Sequence, residues 1–227
     1  MKDTIQMKSL TKLYLNKAEL RHANIIVPGS KSESNRLIIL SSLFENIYLE
    51  NISNSDDTNY LLNAINTKSK IINVGHAGTA MRFLTSYLCL ITESDIQLTG
   101  SKRMHNRPIE ILVDSLKQIG ASIDYIDKEG YPPLLIRPSK FTRNKLQIDT
   151  SKSSQYISSL LLIAPKIKGG LEIELIGRET STPYIDMTVS LLNKIGVKII
   201  SKKNYFKVFE LQKINPIKIS VESDWSS

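Results

Sequence analysis

The sequence predicts an α/β domain of three repeated units, with apolar helices inside and sheets outside. Three observations lead there. First, three segments look alike: SKSESNRLIILSSLF from Ser30, HAGTAMRFLTSYLCLI from His76 and TSKSSQYISSLLLIA from Thr150. Each puts Gly, Ser or Thr at a helix start and then runs apolar on nearly every side, the pattern of a buried helix. Second, each is followed by a more amphipathic helix, SDDTNYLLNAI near Asp57, RPIEILVDSLKQIG from Pro108 and TPYIDMTVSLLNKIG from Pro183. Third, strand candidates alternate with period two: Leu171, Ile173 and Leu175 against Glu172 and Glu174, and Ile217, Ile219 and Val221 against Lys218 and Ser220. Strands with one wet face belong on the outside, which reverses the doubly wound arrangement.

Taken in order, the first informative stretch is PGSKSESNR, residues 28–36, which opens the apolar run of Leu37 to Leu40, Leu43 and Phe44. Pro28 and Gly29 break an extended segment, and Ser30, Ser32 and Ser34 crowd hydroxyls at a helix start. The first N–H groups of a helix lack intrahelical partners and its dipole favours negative charge there. Lys31 and Arg36 add cations to that end, against the usual preference, which points to an anionic ligand. The same residues also suit a hydroxyl-capped core helix with a solvated lysine. A Walker A loop fails, because Asn24 stands where its other glycine is required.

The second and third amphipathic helices carry their own punctuation. Pro108 and Pro183 fit the first helical position, and Gly120 and Gly196 fall just past the ends. Ile109, Leu112, Val113, Leu116 and Ile119 form one apolar stripe. Three such units bring the starts of the three buried helices to one end of the domain. Lys31, Ser32 and Arg36 would meet Gly78, Thr79 and Arg82, then Ser153, Ser154 and Gln155, with Arg107, Ser181 and Tyr184 from the second-helix starts. Such a set suits a multiply charged, hydroxyl-bearing small molecule.

Composition narrows the function classes. With 227 residues, 41% hydrophobic and 23% charged, the chain has an ordinary globular composition and room for one large domain or two small ones. No apolar run approaches a membrane span, and MKDTIQMKSL lacks the apolar core of a signal peptide, so the expectation is a cytoplasmic protein without membrane partners. The single cysteine, Cys89, excludes an internal disulfide and a thiolate-rich metal site, and its neighbours suggest an inert core thiol. The formal charge of +8 permits nucleic acid or small acidic ligands. The lysines are scattered, as at Lys166 and Lys168 or Lys202 and Lys203, and no basic stripe alternates with aromatics, which argues against nucleic acid.

The ordered set PGSKSESNR, GHAGTAMRFL, RMHNRPIEILVDSL, SSQYISSLLLIAP and STPYIDMT resembles the EPSP synthase family, the 3-phosphoshikimate 1-carboxyvinyltransferases of aromatic amino-acid (chorismate) biosynthesis. The resemblance runs from about residue 28 to the closing VESDWSS. It implies two domains of inside-out α/β units with three repeats each, of which this chain would be the N-terminal half: residues 1–20 an edge segment of the other domain, 21–221 the shikimate-phosphate domain, and 222–227 the start of the crossover.

By the same resemblance, Lys31 would contact both substrates and is the candidate catalytic residue, while Ser32, Arg36, Ser153, Ser154 and Ser181 would hold shikimate 3-phosphate. Gln155 would meet its ring and also phosphoenolpyruvate (PEP), with Tyr184 beside it. Gly78 and Arg107 would hold PEP, the arginine by paired hydrogen bonds. The family adds the shikimate 5-hydroxyl to C2 of PEP as C3 is protonated, then eliminates phosphate. No metal or organic cofactor is implied, and the complete enzyme is expected to be a monomer.

Two departures accompany the resemblance. His76 stands where family members commonly have Asn, and a titrating imidazole there could make PEP affinity depend on pH. The family's acid and base carboxylates, a catalytic lysine and further PEP-binding arginines lie beyond the point matched by Ser227, so the chain is expected to be inactive alone. Two alternatives remain at this point: a non-catalytic module that binds shikimate 3-phosphate, and a relative of UDP-N-acetylglucosamine enolpyruvyl transferase. The latter family uses a loop cysteine near the PEP site, whereas Cys89 lies in an apolar helical segment.

Overall fold

The structure is a computed structural model and describes residues 27–149, 154–177 and 182–225. Its order is α1 (Lys31–Leu43), β1 (Ile47–Glu50), α2 (Asp56–Asn66), then β2 (Ile71–Asn73), α3 (Gly78–Ile91), β3 (Ile96–Thr99), α4 (Glu110–Ile119), β4 (Ser122–Tyr125) and β5 (Leu134–Arg137). There follow β6 (Lys145–Asp149), α5 (Ser154–Ile163), β7 (Leu171–Ile176), α6 (Thr182–Lys194), β8 (Ile199–Lys202), β9 (Tyr205–Val208) and β10 (Ile217–Ser220).

Repetition is explicit in the topology. One four-stranded sheet has the order β2-β3-β5-β4 and another the order β6-β7-β9-β8, each with its first two strands parallel and the rest antiparallel. In the first unit β1 pairs in parallel with β10, so the last strand returns to the first helix. The exit segment runs beside the entry to α1: Ser30 N donates to Glu222 O at 2.8 Å, and Asp224 N donates to Pro28 O at 3.0 Å.

The helices are inside. α1 buries every residue from Glu33 to Leu40, α3 is buried from Ala80 to Cys89, and α5 from Tyr156 to Ile163. β7 alternates buried with half-buried residues and so covers this interior with one face. Cys89 is buried, and desolvation pushes its thiol pKa up, so it behaves as a small hydrophobe. Among the described residues, no helix is long and apolar enough to cross a membrane.

One boundary differs from expectation. The helix predicted from Pro108 begins at Glu110. Pro108 O is engaged elsewhere, accepting Tyr156 Oη–H at 2.6 Å, and Ile109 N donates to Gly130 O at 2.9 Å, so this backbone is held out of the helix. The apolar stripe is as expected, with Ile109, Leu112, Val113, Leu116 and Ile119 fully buried. Gly120 ends α4 at φ 110°, a left-handed conformation that costs a glycine little, and its N–H returns to Lys117 O.

A candidate anion-binding site at the helix starts

The first turn of α1 has no side-chain cap: Ser30 makes no capping bond, nor does Ala77 before α3. Glu33 does lie in the first turn of α1, but its carboxylate accepts the N–H of Glu222 at 3.0 Å and ties the exit segment down. Among the described residues it forms no ion pair with a cation.

Arg36 is the most constrained of the cations that follow. It is only 2% exposed, with Nε donating to Thr188 Oγ1 at 2.7 Å, Nη1 to Ser32 O at 2.7 Å, and Nη2 to Ser158 Oγ at 3.1 Å and Tyr184 O at 3.2 Å. The rings of Phe83 and Tyr184 flank it at 5.4 and 5.8 Å. Burial lowers its pKa to about 10, and the charge interaction with Tyr184 offsets part of that. Its acceptors are neutral, and no carboxylate among the described residues pairs with its charge, a state that a bound anion relieves.

A second cation anchors the next unit. Arg82, buried in α3, donates from Nη1 to Gly78 O at 2.9 Å and reaches Pro108 O at 3.5 Å, while its Nε has no partner among the described residues. Desolvation lowers its pKa, Tyr156 opposes that, and the positive charge of Arg107 lowers it further. Ser159 Oγ donates to Arg82 O at 2.7 Å, so its only hydrogen is used and it must accept from Ser86 at 2.6 Å. The Gly78 turn and the Arg107 segment are thus clamped from beneath.

Gly78 and Arg107 are in immediate contact. A Cβ on Gly78 would lie 2.1 Å from Arg107 Nη1, so the guanidinium lies directly over the glycine. Gln155 at the start of α5 donates to Thr79 Oγ1 at 3.4 Å, joining the third unit to the second. Ser154 is buried beside it, and Tyr184 is about half exposed. His76, Arg103, Met104 and Arg107 line a cavity of ≈140 Å³.

These contacts link the starts of α1, α3, α5 and α6 with the segment before α4. Ser32, Arg36 and Tyr184 meet directly, as do Gly78 and Arg107; Gln155 connects to the α3 start, and Ser158 of α5 carries the link to Arg36. Lys31 opens α1 one residue before Ser32. Ser153 and Ser181 lie outside the described residues. Ser158 and Thr188 belong to the constellation although the sequence reading passes over them; each lies four residues after Ser154 or Tyr184, on the same helix face. Arg103, inside the quoted RMHNRPIE stretch, is a further cation beside Arg107.

Among the described residues, no Asp or Glu forms an ion pair with Arg36, Arg82 or Arg107. No group of three or more His, Cys, Asp or Glu residues there could hold a metal ion. The arrangement offers cations, uncapped helix starts and small hydroxyls, which together suit phosphate and carboxylate oxygens.

The family model for EPSP synthase (3-phosphoshikimate 1-carboxyvinyltransferase) matches residues 62–227. A 3-phosphoshikimate 1-carboxyvinyltransferase of Bacteroides fragilis is 40% identical, covering 90% of this chain and 50% of the relative. One from Actinobacillus pleuropneumoniae is also 40% identical, over 97% of this chain and 58% of the relative. The chain thus spans about half the length of the curated relatives it matches. An EPSP synthase structure from Acinetobacter baumannii shares the fold, with a TM-score of 0.75 at 23% identity over 89% of this chain and 50% of that one. The chain therefore belongs to the EPSP synthase family.

Proposed function

We propose that this chain serves the transfer of the enolpyruvyl group from PEP to the 5-hydroxyl of shikimate 3-phosphate, and that residues 21–221 supply the grip on shikimate 3-phosphate. The observation that carries this reading is the buried Arg36, hydrogen-bonded on three sides to neutral groups yet meeting no carboxylate among the described residues. A phosphate ester supplies the missing counter-charge. Ser32, Arg36, Ser154 and Tyr184 would hold that substrate together with Ser153 and Ser181. Lys31, Gly78, Arg107 and Gln155 would receive PEP, Lys31 touching both.

Each group's chemistry suits its part. Arg107 presents a planar fork to a carboxylate or phosphate, and the missing Cβ of Gly78 makes room for that fork beside the start of α3. Fixed donors stabilise charge that develops as the 5-hydroxyl adds to C2 and phosphate departs. Proton transfer to C3 would fall to carboxylates in the part of the family sequence that this chain does not match. The buried position of Cys89 within α3 favours this reading over a UDP-N-acetylglucosamine enolpyruvyl transferase, in which a loop cysteine serves the PEP site.

The test is a phosphate-release assay with PEP and shikimate 3-phosphate. The chain alone is expected to give no turnover, since loss of general acid–base catalysis costs about 10²- to 10⁴-fold before any loss of enclosure. Adding the remainder of a family member's sequence should restore EPSP formation. Sustained turnover by the 227-residue chain would place the acid and base among its own residues.

A further inference from the structure

The cavity beside Gly78 brings a second arginine, Arg103, next to Arg107. Arg103 and Arg107 both line it, together with His76 and the buried Met104. Neither arginine forms an ion pair with an Asp or Glu among the described residues. Guanidinium groups stay charged at any physiological pH, so an anion entering this space meets two positive charges. At ≈140 Å³, and with a water occupying about 30 Å³, the cavity has room for a tetrahedral oxyanion.

The walls are built and not incidental. Ser101 N donates to Gly75 O at 2.8 Å and Val74 N to Thr99 O at 2.9 Å, fastening the loop that carries Arg103 to the loop that carries His76. Met104 N donates to Ser101 Oγ at 3.3 Å, and Arg107 N to Met104 O at 2.9 Å, which sets the two arginines on one short turn. From α2, Asp56 Oδ2 stands 3.8 Å from His76 Nε2, and the Tyr60 ring meets the imidazole edge-on at 5.7 Å.

We propose that His76, Arg103 and Arg107 form an outer subsite for inorganic phosphate, adjoining the place where Gly78 and Arg107 would receive PEP. Its use rests on the enolpyruvyl-transfer reading, in which phosphate is the departing group and Arg107 is shared between the inner and outer positions. Arg103 then draws phosphate outward and lowers the chance of its return to the reacting carbon.

The experiment is an NMR titration of the chain with inorganic phosphate, following the Arg103 guanidinium and His76 ring signals, with sodium chloride of equal ionic strength as control. Saturable shifts are expected with phosphate and not with chloride. Arg103→Ala should weaken phosphate binding at least about tenfold while shikimate 3-phosphate binding is unchanged. Arg103 is solvent-exposed, so the variant should fold, and an unchanged melting temperature verifies that. Signals that do not saturate, shifts equalled by chloride, or an Arg103→Ala affinity equal to the parent would each overturn the subsite. Saturable phosphate binding without any shikimate 3-phosphate binding would leave the subsite standing and refute the functional reading instead.

Discussion

The outer sheets and the inner helix starts treat charge in opposite ways. On the sheets, acids and bases sit across from one another: Lys145 on β6 meets Glu174 on β7 at 2.5 Å, Lys207 on β9 meets Glu172 on β7 at 2.9 Å, Lys218 on β10 meets Glu50 on β1 at 2.7 Å, and Arg137 on β5 pairs with Asp124 on β4. Those lysines hold the carboxyls of Glu172 and Glu174 below the usual carboxylate range. At the helix starts, among the described residues, Arg36 is buried against carbonyls and hydroxyls, Arg82 against carbonyls with its Nε unmet, and Arg107 lies over a glycine. The net charge of +8 is therefore less informative than where the pairing stops. A folded protein tolerates buried, unpaired cations where something outside the chain completes them.

The contrast is most sharply broken by removing Arg36. Arg36→Ala should reduce shikimate 3-phosphate affinity at least about 30-fold, because truncating one partner of a buried charge pair costs about 2 kcal/mol or more. Calorimetric titration reads this directly, and affinity within a few-fold of the parent would show that Arg36 only braces α6. Next comes Gly78→Ala. Its new Cβ meets the flexible tip of Arg107, so the fold survives while the guanidinium moves. With shikimate 3-phosphate present, PEP affinity should fall about tenfold or more, with shikimate 3-phosphate affinity unchanged. Equal losses for both ligands would mean that the two positions are not separate.

Smaller effects test the scaffold. Ser159→Ala removes a hydroxyl that joins α3 to α5, leaving Arg82 O and Ser86 without this partner, and should lower unfolding stability by about 1–3 kcal/mol in urea titration. A midpoint equal to the parent's would mean that the Ser86 hydroxyl re-satisfies Arg82 O by itself. On the sheets, Glu174→Gln should change neither the melting temperature measurably nor the binding of either ligand, because an exposed pair is screened by water. A clear loss of ligand affinity there would erase the distinction between the two regions.

The architecture was legible because burial pattern and helix punctuation are local properties. The all-round apolar segments from Ser30, His76 and Thr150 could only be interior helices, and Glu172 with Glu174 marked β7 as a covering strand. Most other strands were not legible. They are three to five residues long, as in Ile71–Asn73, too short for alternation to show. The β8–β9 hairpin did leave a signal in Asn204, at φ 81° in the two-residue turn between Lys202 and Tyr205, a place where Asn is tolerated. In the site, charged and helix-start residues could be named in advance, but the hydroxyls of Ser158 and Thr188 could not. Serine and threonine are common on buried helices, and their role comes from an arginine far away in sequence, 122 residues in one case and 152 in the other. Pro108 misled for a related reason: its carbonyl is claimed by Tyr156, a tertiary contact that overrides a local helix-start preference.

The measurement that bears most directly on the central claim is a paired calorimetric titration of the chain with shikimate 3-phosphate and with shikimate, at low and at high salt. If Arg36, which meets no carboxylate among the described residues, is the centre of a phosphate grip, shikimate 3-phosphate binds saturably at one site, shikimate binds at least about tenfold more weakly, and added salt narrows the gap. Equal affinities for the two compounds, or no saturable binding of the phosphorylated one, would contradict the account.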